Sequence, residues 1–421
     1  MRLLRRTARP PTARGVLKTA SLIAAAAAVA VPVLAATGLA VADWLVHTDR
    51  EKRRAPNPGT FHTQLGDAEL TIYTSGDELY DDMIDAINGA QRTVFMETYI
   101  WKADAVGQRF IDAFNAAAER GVKVHVLYDG FANLVVPRSF YKQLSEKVRV
   151  VRLPVIGIRF WKGPIRHTGL NHSKVLTVDD HIGFLGGYNL GSLYADYWRD
   201  THIRAVGSGV WGMQHSIAQL WNELHATDDQ IEWSPPRDWR PHVQINANLP
   251  VQLVYPIRQM YLKAIDRASK YIFVTTPYFV PDQQIVQALI EASQRGVDVR
   301  VMVPKESNHV VADWVARGFY GQLLDAGITI LLYASSMIHA KTATIDGEWS
   351  TVGAANIDRL SLSYNYETNV EIIDPRFAAE MEKIFEADSE HCDVLDSSDW
   401  RDRHPMARAV ELALRPLRPW L

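Results

Sequence analysis

The sequence predicts an α/β protein of two duplicated lobes. Each lobe is a mixed β-sheet flanked by helices, the two are related by a pseudo-two-fold axis with a shared site at the seam, and an N-terminal transmembrane helix precedes them. Three observations predict this. The stretches NHSKVLTVDDHIGFLGGYN (Asn171 to Asn189) and IHAKTATIDGEWSTVGAAN (Ile338 to Asn356) carry the same polar residues at the same spacing: His172, Lys174, Asp179 and Asn189 against His339, Lys341, Asp346 and Asn356. Upstream, TVFMETYIW (Thr93 to Trp101) is similar to YIFVTTPYF (Tyr271 to Phe279), and each precedes a helix-like run closing on Arg-Gly-Val and an alternating strand, VKVHVLYD or VDVRVMVP. Finally, the 24 residues from Thr19 to Ala42 carry no charge, enough to cross a hydrocarbon core of about 30 Å as a helix.

In chain order, residues 1–18 are a basic segment with six cations and no acid, and residues 19–42 are the expected transmembrane helix. A cleaved secretory signal is the competing reading, because Ala40-Val41-Ala42 before Asp43 suits a small-residue cleavage site. The cations before the span place the N-terminus in the cytoplasm and the body on the outer side of the cell membrane, although Arg50, Lys52, Arg53 and Arg54 follow closely. Residues 43–60 read as a linker, 61–207 as lobe 1, 208–250 as an inter-lobe helix and connection, 251–375 as lobe 2, and 376–421 as a C-terminal helix and a cationic, apolar tail that either touches lipid headgroups or packs on the body. Within each motif the apolar runs after the Lys and before the small-residue turn (Gly186-Gly187; Gly353-Ala354-Ala355) predict a hairpin, with His and Lys on one face of the strand.

Composition bounds the function. The chain has 421 residues, 45 Lys and Arg against 48 Asp and Glu, and a formal net charge of −3, so no global basic field marks a nucleic-acid binder. One cysteine excludes an intrachain disulfide and leaves the compartment open. No Gly-rich nucleotide loop, zinc-type cluster or serine nucleophile elbow is present.

The paired H-x-K-x4-D motifs resemble those of the phospholipase D superfamily, and TTPYFVPD, NHSK, HAKTATID and GAANIDRLSLSYNYE are similar to phrases of bacterial cardiolipin synthases. The resemblance covers roughly residues 60 to 375. It implies phosphodiester chemistry, for which two imidazoles on opposite sides of the phosphorus suffice: one attacks to give a phosphohistidine while the other protonates the leaving oxygen and then deprotonates the incoming alcohol. The candidate catalytic set is His172, Lys174, Asp179, His339, Lys341 and Asp346. Lys174 and Lys341 would hold phosphate oxygens with Asn189 and Asn356 as substrate-binding partners, and the two aspartates are expected to tie down the hairpin turns. The superfamily also places an acid downstream of each His. Asp200 and Glu367, each 28 residues after its His, are the candidate orienting acids. By resemblance His172 is the nucleophile; the symmetry of the motifs leaves that open. No metal and no cofactor is expected.

The resemblance implies a membrane-associated phosphatidyltransferase that forms cardiolipin and glycerol from two phosphatidylglycerols, with phospholipid and membrane as partners, no nucleic acid, and an open oligomeric state. The alternatives are a phospholipase D hydrolase releasing phosphatidic acid, a nucleic-acid phosphodiesterase, and a tethered binding protein without catalysis. The chain departs from the pattern in one respect, since bacterial cardiolipin synthases often carry two N-terminal spans. Tyr99, Trp101, Tyr278 and Phe279 read as strand aromatics, core by default and otherwise the lining of an acyl or headgroup pocket. His125, His202, His225 and His309 read as ordinary surface or core histidines, and His167 as a residue beside the motif.

Overall fold

A computed structural model describes residues 30–45, 53–154, 169–207, 209–225, 229–233 and 242–420. Lobe 1 contributes β1 (Thr60–Leu65), β2 (Ala68–Tyr73), β3 (Thr93–Thr98), β4 (Lys123–Asp129), β5 (Arg149–Leu153), β6 (Val175–Val178), β7 (Ile182–Gly186), the two-residue β8 (Trp198–Arg199) and β9 (His202–Val206). Lobe 2 contributes β10 (Val243–Asn248), β11 (Tyr271–Thr275), β12 (Phe279–Val280), β13 (Asp298–Pro304), β14 (Thr329–Tyr333), β15 (Met337–Ile338), β16 (Thr342–Ile345), β17 (Trp349–Gly353), β18 (Ile357–Asp358), β19 (Glu367–Ile373) and β20 (Cys392–Val394).

Two eight-stranded sheets result, ordered β1-β2-β9-β7-β6-β3-β4-β5 and β10-β19-β17-β16-β11-β13-β14-β20. The six strands β9-β7-β6-β3-β4-β5 repeat as β19-β17-β16-β11-β13-β14. In each set the last three are parallel and the rest antiparallel. This is the mixed sheet that the repeated pattern predicts, because a helical crossover between alternating strands returns the chain in the same direction.

The helices are α1 (residues 30–45), α2 (Gly76–Gly89), α3 (Ala105–Glu119), α4 (Arg138–Tyr141), α5 (Ser192–Tyr197), α6 (Val210–Leu224), α7 (Pro256–Arg267), α8 (Gln283–Gln294), α9 (Val310–Asp325), α10 (Arg359–Ser363), α11 (Pro375–Ser389), α12 (Ser397–Arg401) and α13 (Pro405–Leu414). The crossover helices α3 and α8 are capped alike: the Asp104 side chain accepts the Gly107 N–H, and that of Asp282 accepts those of Gln284 and Ile285. Both end at the repeated Arg-Gly, where Gly121 (φ 90°) and Gly296 (φ 91°) take the left-handed conformation that stops a helix at low cost. In the tail, α13 packs on α9 through Leu414, and Glu411 pairs with Arg317 and Arg403.

Each lobe has its own apolar core. A third cluster joins them, with Leu185, Ile203 and Ala205 of lobe 1 meeting Val352, Val370 and Ile372 of lobe 2. The lobes therefore form one packed body rather than two beads on a tether.

Among the described residues no helix is long and apolar enough to cross a membrane. Of the expected span, residues 30–42 belong to α1, while residues 19–29 lie outside the described residues, as does His167. One face of α1, with Ala35, Ala36 and Leu39, packs against the core of lobe 2. The opposite face leaves Leu34, Val41, Trp44 and Leu45 exposed.

Candidate active site

Each motif begins just before a strand, so the position of its hairpin sets the position of its His and Lys. The hairpins are held at their far ends by the motif aspartates. Asp179 sits in the β6–β7 turn with φ 53° and accepts the backbone N–H groups of Gln91, Arg92 and Thr93 at 2.7–2.9 Å. Asp346, with φ 56°, accepts those of Ser269, Lys270 and Tyr271 at 2.7–2.9 Å. Burial pushes the Asp179 carboxyl up, but its N–H donors outweigh that and hold it below the usual carboxylate range. Both aspartates thus sit at the turns, away from the residues that line the cleft.

At their near ends the two motifs cross between lobes. The His172 N–H donates to the Tyr366 carbonyl (2.9 Å), and the His339 N–H donates to the Arg199 carbonyl (2.7 Å), where β8 and β15 pair in parallel. Tyr366 and Arg199 immediately precede the two candidate acids, so the acids are exchanged as well. Nδ1 of His172 lies 2.9 Å from Oε2 of Glu367, and Nδ1 of His339 lies 2.6 Å from Oδ2 of Asp200. Each imidazole is therefore oriented by the carboxyl group of the other lobe. Gly187 makes room for one of these contacts, since a Cβ there would come within 2.1 Å of Oδ1 of Asp200. Arg199 is fully buried and held through two nitrogens by Asp388 of α11 at 2.9 and 2.8 Å, a second tie across the seam.

All six central side chains are buried: His172, Lys174, Asp200, His339, Lys341 and Glu367. Nζ of Lys174 donates to the His172 carbonyl at 2.5 Å; Nζ of Lys341 approaches Nδ1 of His339 at 2.7 Å and also bonds the His339 carbonyl. Burial, followed by the neighbouring lysine charges, lowers both imidazoles well below their usual 6.5. Burial lowers Lys174 to about 7 and Lys341 to about 8, against the attraction of Glu367 and Asp200. Burial also raises Asp200 and lifts Glu367 to about 8. With Nδ1 turned to an acid, Nε2 of each histidine is left for chemistry. The desolvated lysines favour an anion between them, since a bound anion restores the charge stabilisation that burial removes.

The histidines open onto one cleft of about 440 Å³. Asn189 and Asn356 line it; Asn189 accepts the Ile100 N–H at 3.2 Å, whereas Oδ1 of Asn356 has no protein partner. Tyr99 and Tyr278 line it too, while Trp101 and Phe279 are buried in the cores. Tyr99 meets the His172 ring edge-on at 4.6 Å, with Nζ of Lys174 5.1 Å from its centroid. Two wall residues had no signal in the motif pattern. The ring of Trp198 lies 4.8 Å from that of His339, and His309, at the start of α9, stands beside Tyr278 at 5.4 Å. His309 reads as an ordinary histidine in the sequence because lobe 1 has only the four-residue α4 where lobe 2 has α9. His125 and His202 are buried away from the cleft, and His225 closes α6. Among the described residues no group of His, Cys, Asp and Glu has the arrangement of a metal site.

A family model described as "Cardiolipin synthase, PLD-like domain" matches residues 83–207 and 261–389, one stretch in each lobe. A cardiolipin synthase of Clostridium perfringens is 31% identical over 383 residues, covering 86% of this chain and 79% of that protein. One of Listeria monocytogenes is 31% identical over 346 residues, covering 78% and 70%. Among solved structures, a phosphatidylserine synthase of Haemophilus influenzae shares the fold with a TM-score of 0.65 at 15% identity, over 86% of this chain and 94% of that one. A polyphosphate kinase of Porphyromonas gingivalis does so at 0.54 and 14%, over 84% and 53%.

Proposed function

The chain belongs to the cardiolipin synthase family of phospholipase D-like proteins, and from that premise we propose that it transfers a phosphatidyl group from one phosphatidylglycerol to another. The observation that carries the reading is the pair of imidazoles, each oriented by an acid of the opposite lobe and opening onto one cleft, with a buried lysine bonded to the backbone carbonyl of each histidine.

In the proposed cycle Lys174 and Lys341 hold the non-bridging oxygens of the first lipid, with Asn189 and Asn356 beside them. Nε2 of His172 attacks phosphorus. The bond to the headgroup oxygen breaks as His339, which enters the step as an imidazolium with its second proton on Nε2, gives that proton to the oxygen, and glycerol leaves. The glycerol hydroxyl of the second lipid then loses its proton to His339 and attacks; the phosphorus–nitrogen bond breaks, and cardiolipin is released. Glu367 steadies the imidazole that becomes covalently bound, and Asp200 steadies the one that carries the proton. His339 thus recovers from the second lipid the proton it gave to the glycerol, and the cycle closes.

The same reading puts the enzyme at the cell membrane, with the body on the outer side. Product analysis tests it. Purified full-length protein with phosphatidylglycerol in vesicles should yield cardiolipin and an equal amount of glycerol. Phosphatidic acid without cardiolipin would make water the acceptor and replace transfer by hydrolysis.

A further inference from the structure

Beyond the cleft, one exposed stretch does not behave like ordinary surface. The turn after β4, from Phe131 to Val135, turns Phe131 (49% exposed), Leu134 (58%) and Val135 (83%) outward. Three large apolar side chains within five residues are costly in water, and here the backbone is held so that they cannot fold inward. Oδ1 of Asp129 accepts the N–H groups of Phe131 and Ala132, both at 2.8 Å, and its Oδ2 accepts that of Asn171, beside His172, at 2.9 Å. The buried Asn133 donates to the Tyr99 and Asp129 carbonyls at 2.7 Å and accepts the Trp101 N–H at 2.9 Å. Val136 is buried in the core of lobe 1. The tip is thus a fixed projection, wired to the motif loop it adjoins.

Its position and charge point to what covers it. Phe131 lines the catalytic cleft, so the projection stands at the cleft's mouth on the lobe 1 side. On the lobe 2 side, Asp43 at the end of α1 shares a cavity with Tyr278 and Ala312, which also line the cleft. The end of α1, where Val41, Trp44 and Leu45 are exposed, therefore lies on a cavity that adjoins the cleft. The stretch from Phe131 to Lys142 contains no acid and includes the exposed cations Arg138 and Lys142, while Arg152 bonds the Gly130 carbonyl at its base (2.9 Å). Exposed apolar side chains with cations beside them match an anionic lipid surface, with acyl chains below phosphate headgroups.

We propose that the Phe131–Val135 projection is the lobe 1 docking element for an anionic phospholipid bilayer: Leu134 and Val135 enter the acyl layer, Arg138 and Lys142 sit on headgroup phosphates, and Phe131 leads from the bilayer into the cleft. The proposal rests on the lipid reading of the cleft. It explains how a lipid phosphodiester reaches buried histidines without the whole molecule leaving the bilayer.

The test uses the full-length protein with Cys392→Ser, labelled with an environment-sensitive fluorophore at Val135→Cys. Lys123→Cys, exposed at the opposite end of β4, is the reference position. In vesicles of phosphatidylglycerol and phosphatidylethanolamine, the label at position 135 should shift to the blue and be quenched by brominated acyl chains, while that at 123 should do neither. A label at 135 that stays as wet as the one at 123 overturns the proposal. In a second arm, Leu134→Ser with Val135→Ser should slow turnover of long-chain phosphatidylglycerol in vesicles by about tenfold and leave turnover of monomeric dihexanoyl phosphatidylglycerol unchanged. Equal loss on both substrates would also overturn it. A protein that turns over neither lipid would defeat the reading of function, and the fluorescence result would then decide docking on its own.

Discussion

In the proposed cycle His172 and His339 share one reaction coordinate, so removing either would remove a step that the other cannot supply. His172→Ala and His339→Ala should each lower turnover by about a thousandfold or more, with the unfolding midpoint checked alongside; substantial activity in either would mean that the half-sites work alone. The acids act through the histidines, and Gly187 gives indirect access to one of them. Gly187→Ala drives a methyl group against Asp200 and, by displacing the His339 ring, should cost about a hundredfold in kcat, whereas a glycine that is merely structural would leave kcat unchanged in protein that remains folded. The lysines set the pH response. They hold phosphate only as cations, and their folded values of about 7 and about 8 mean that this charge is present at lower pH and lost as pH rises through that window. In a pH profile of kcat/KM, an alkaline limb should therefore begin near the lower value, that of Lys174, and Lys174→Arg should move it upward to the Lys341 value, because a guanidinium stays protonated.

At the scale of the element, each motif hairpin is fixed at both ends by different means. The far end hangs on one carboxylate. Asp179→Ala strands three N–H donors at the start of β3 and should cost about 2 kcal/mol, read as a lowered midpoint in denaturant. Because the folded Asp179 carboxyl lies below its ordinary value of 3.8, its contribution is complete above that value and is lost as pH falls through the lowered one. The near end is fixed by the crossed His N–H bonds. These elements were also the most legible part of the sequence. Period-two alternation and a repeat that preserved the Arg-Gly-Val close and the 28-residue spacing are local signals, written by strand and turn sterics. The exchange of acids was not legible, since equal spacing within each half is compatible with either partner and only the packing of one sheet on the other decides. His309 and Trp198 escaped for a related reason: lobe 1 has only the four-residue α4 in the place of α9, and an aromatic two residues before an acid looks like any strand residue.

At the scale of the whole molecule, symmetry is kept where the reaction is symmetric and broken where two lipids must be handled in turn. The six matched strands of each sheet carry matched histidines and lysines, while the cleft walls differ, with Tyr99 and Phe131 on one side and Tyr278 and His309 on the other. The shared core of Leu185, Ile203, Val352 and Val370 holds the halves in register. The crossed acids give this packing a further meaning. If the seam gapes, both imidazoles lose their carboxyl partners in the same motion, and the lysines that shared the phosphate part company. In the proposed cycle an opened seam would therefore silence the molecule instead of letting it misfire, leaving no half-competent state in which a stray water is activated against a lipid. The enzyme is fail-safe because its two switches are wired across each other.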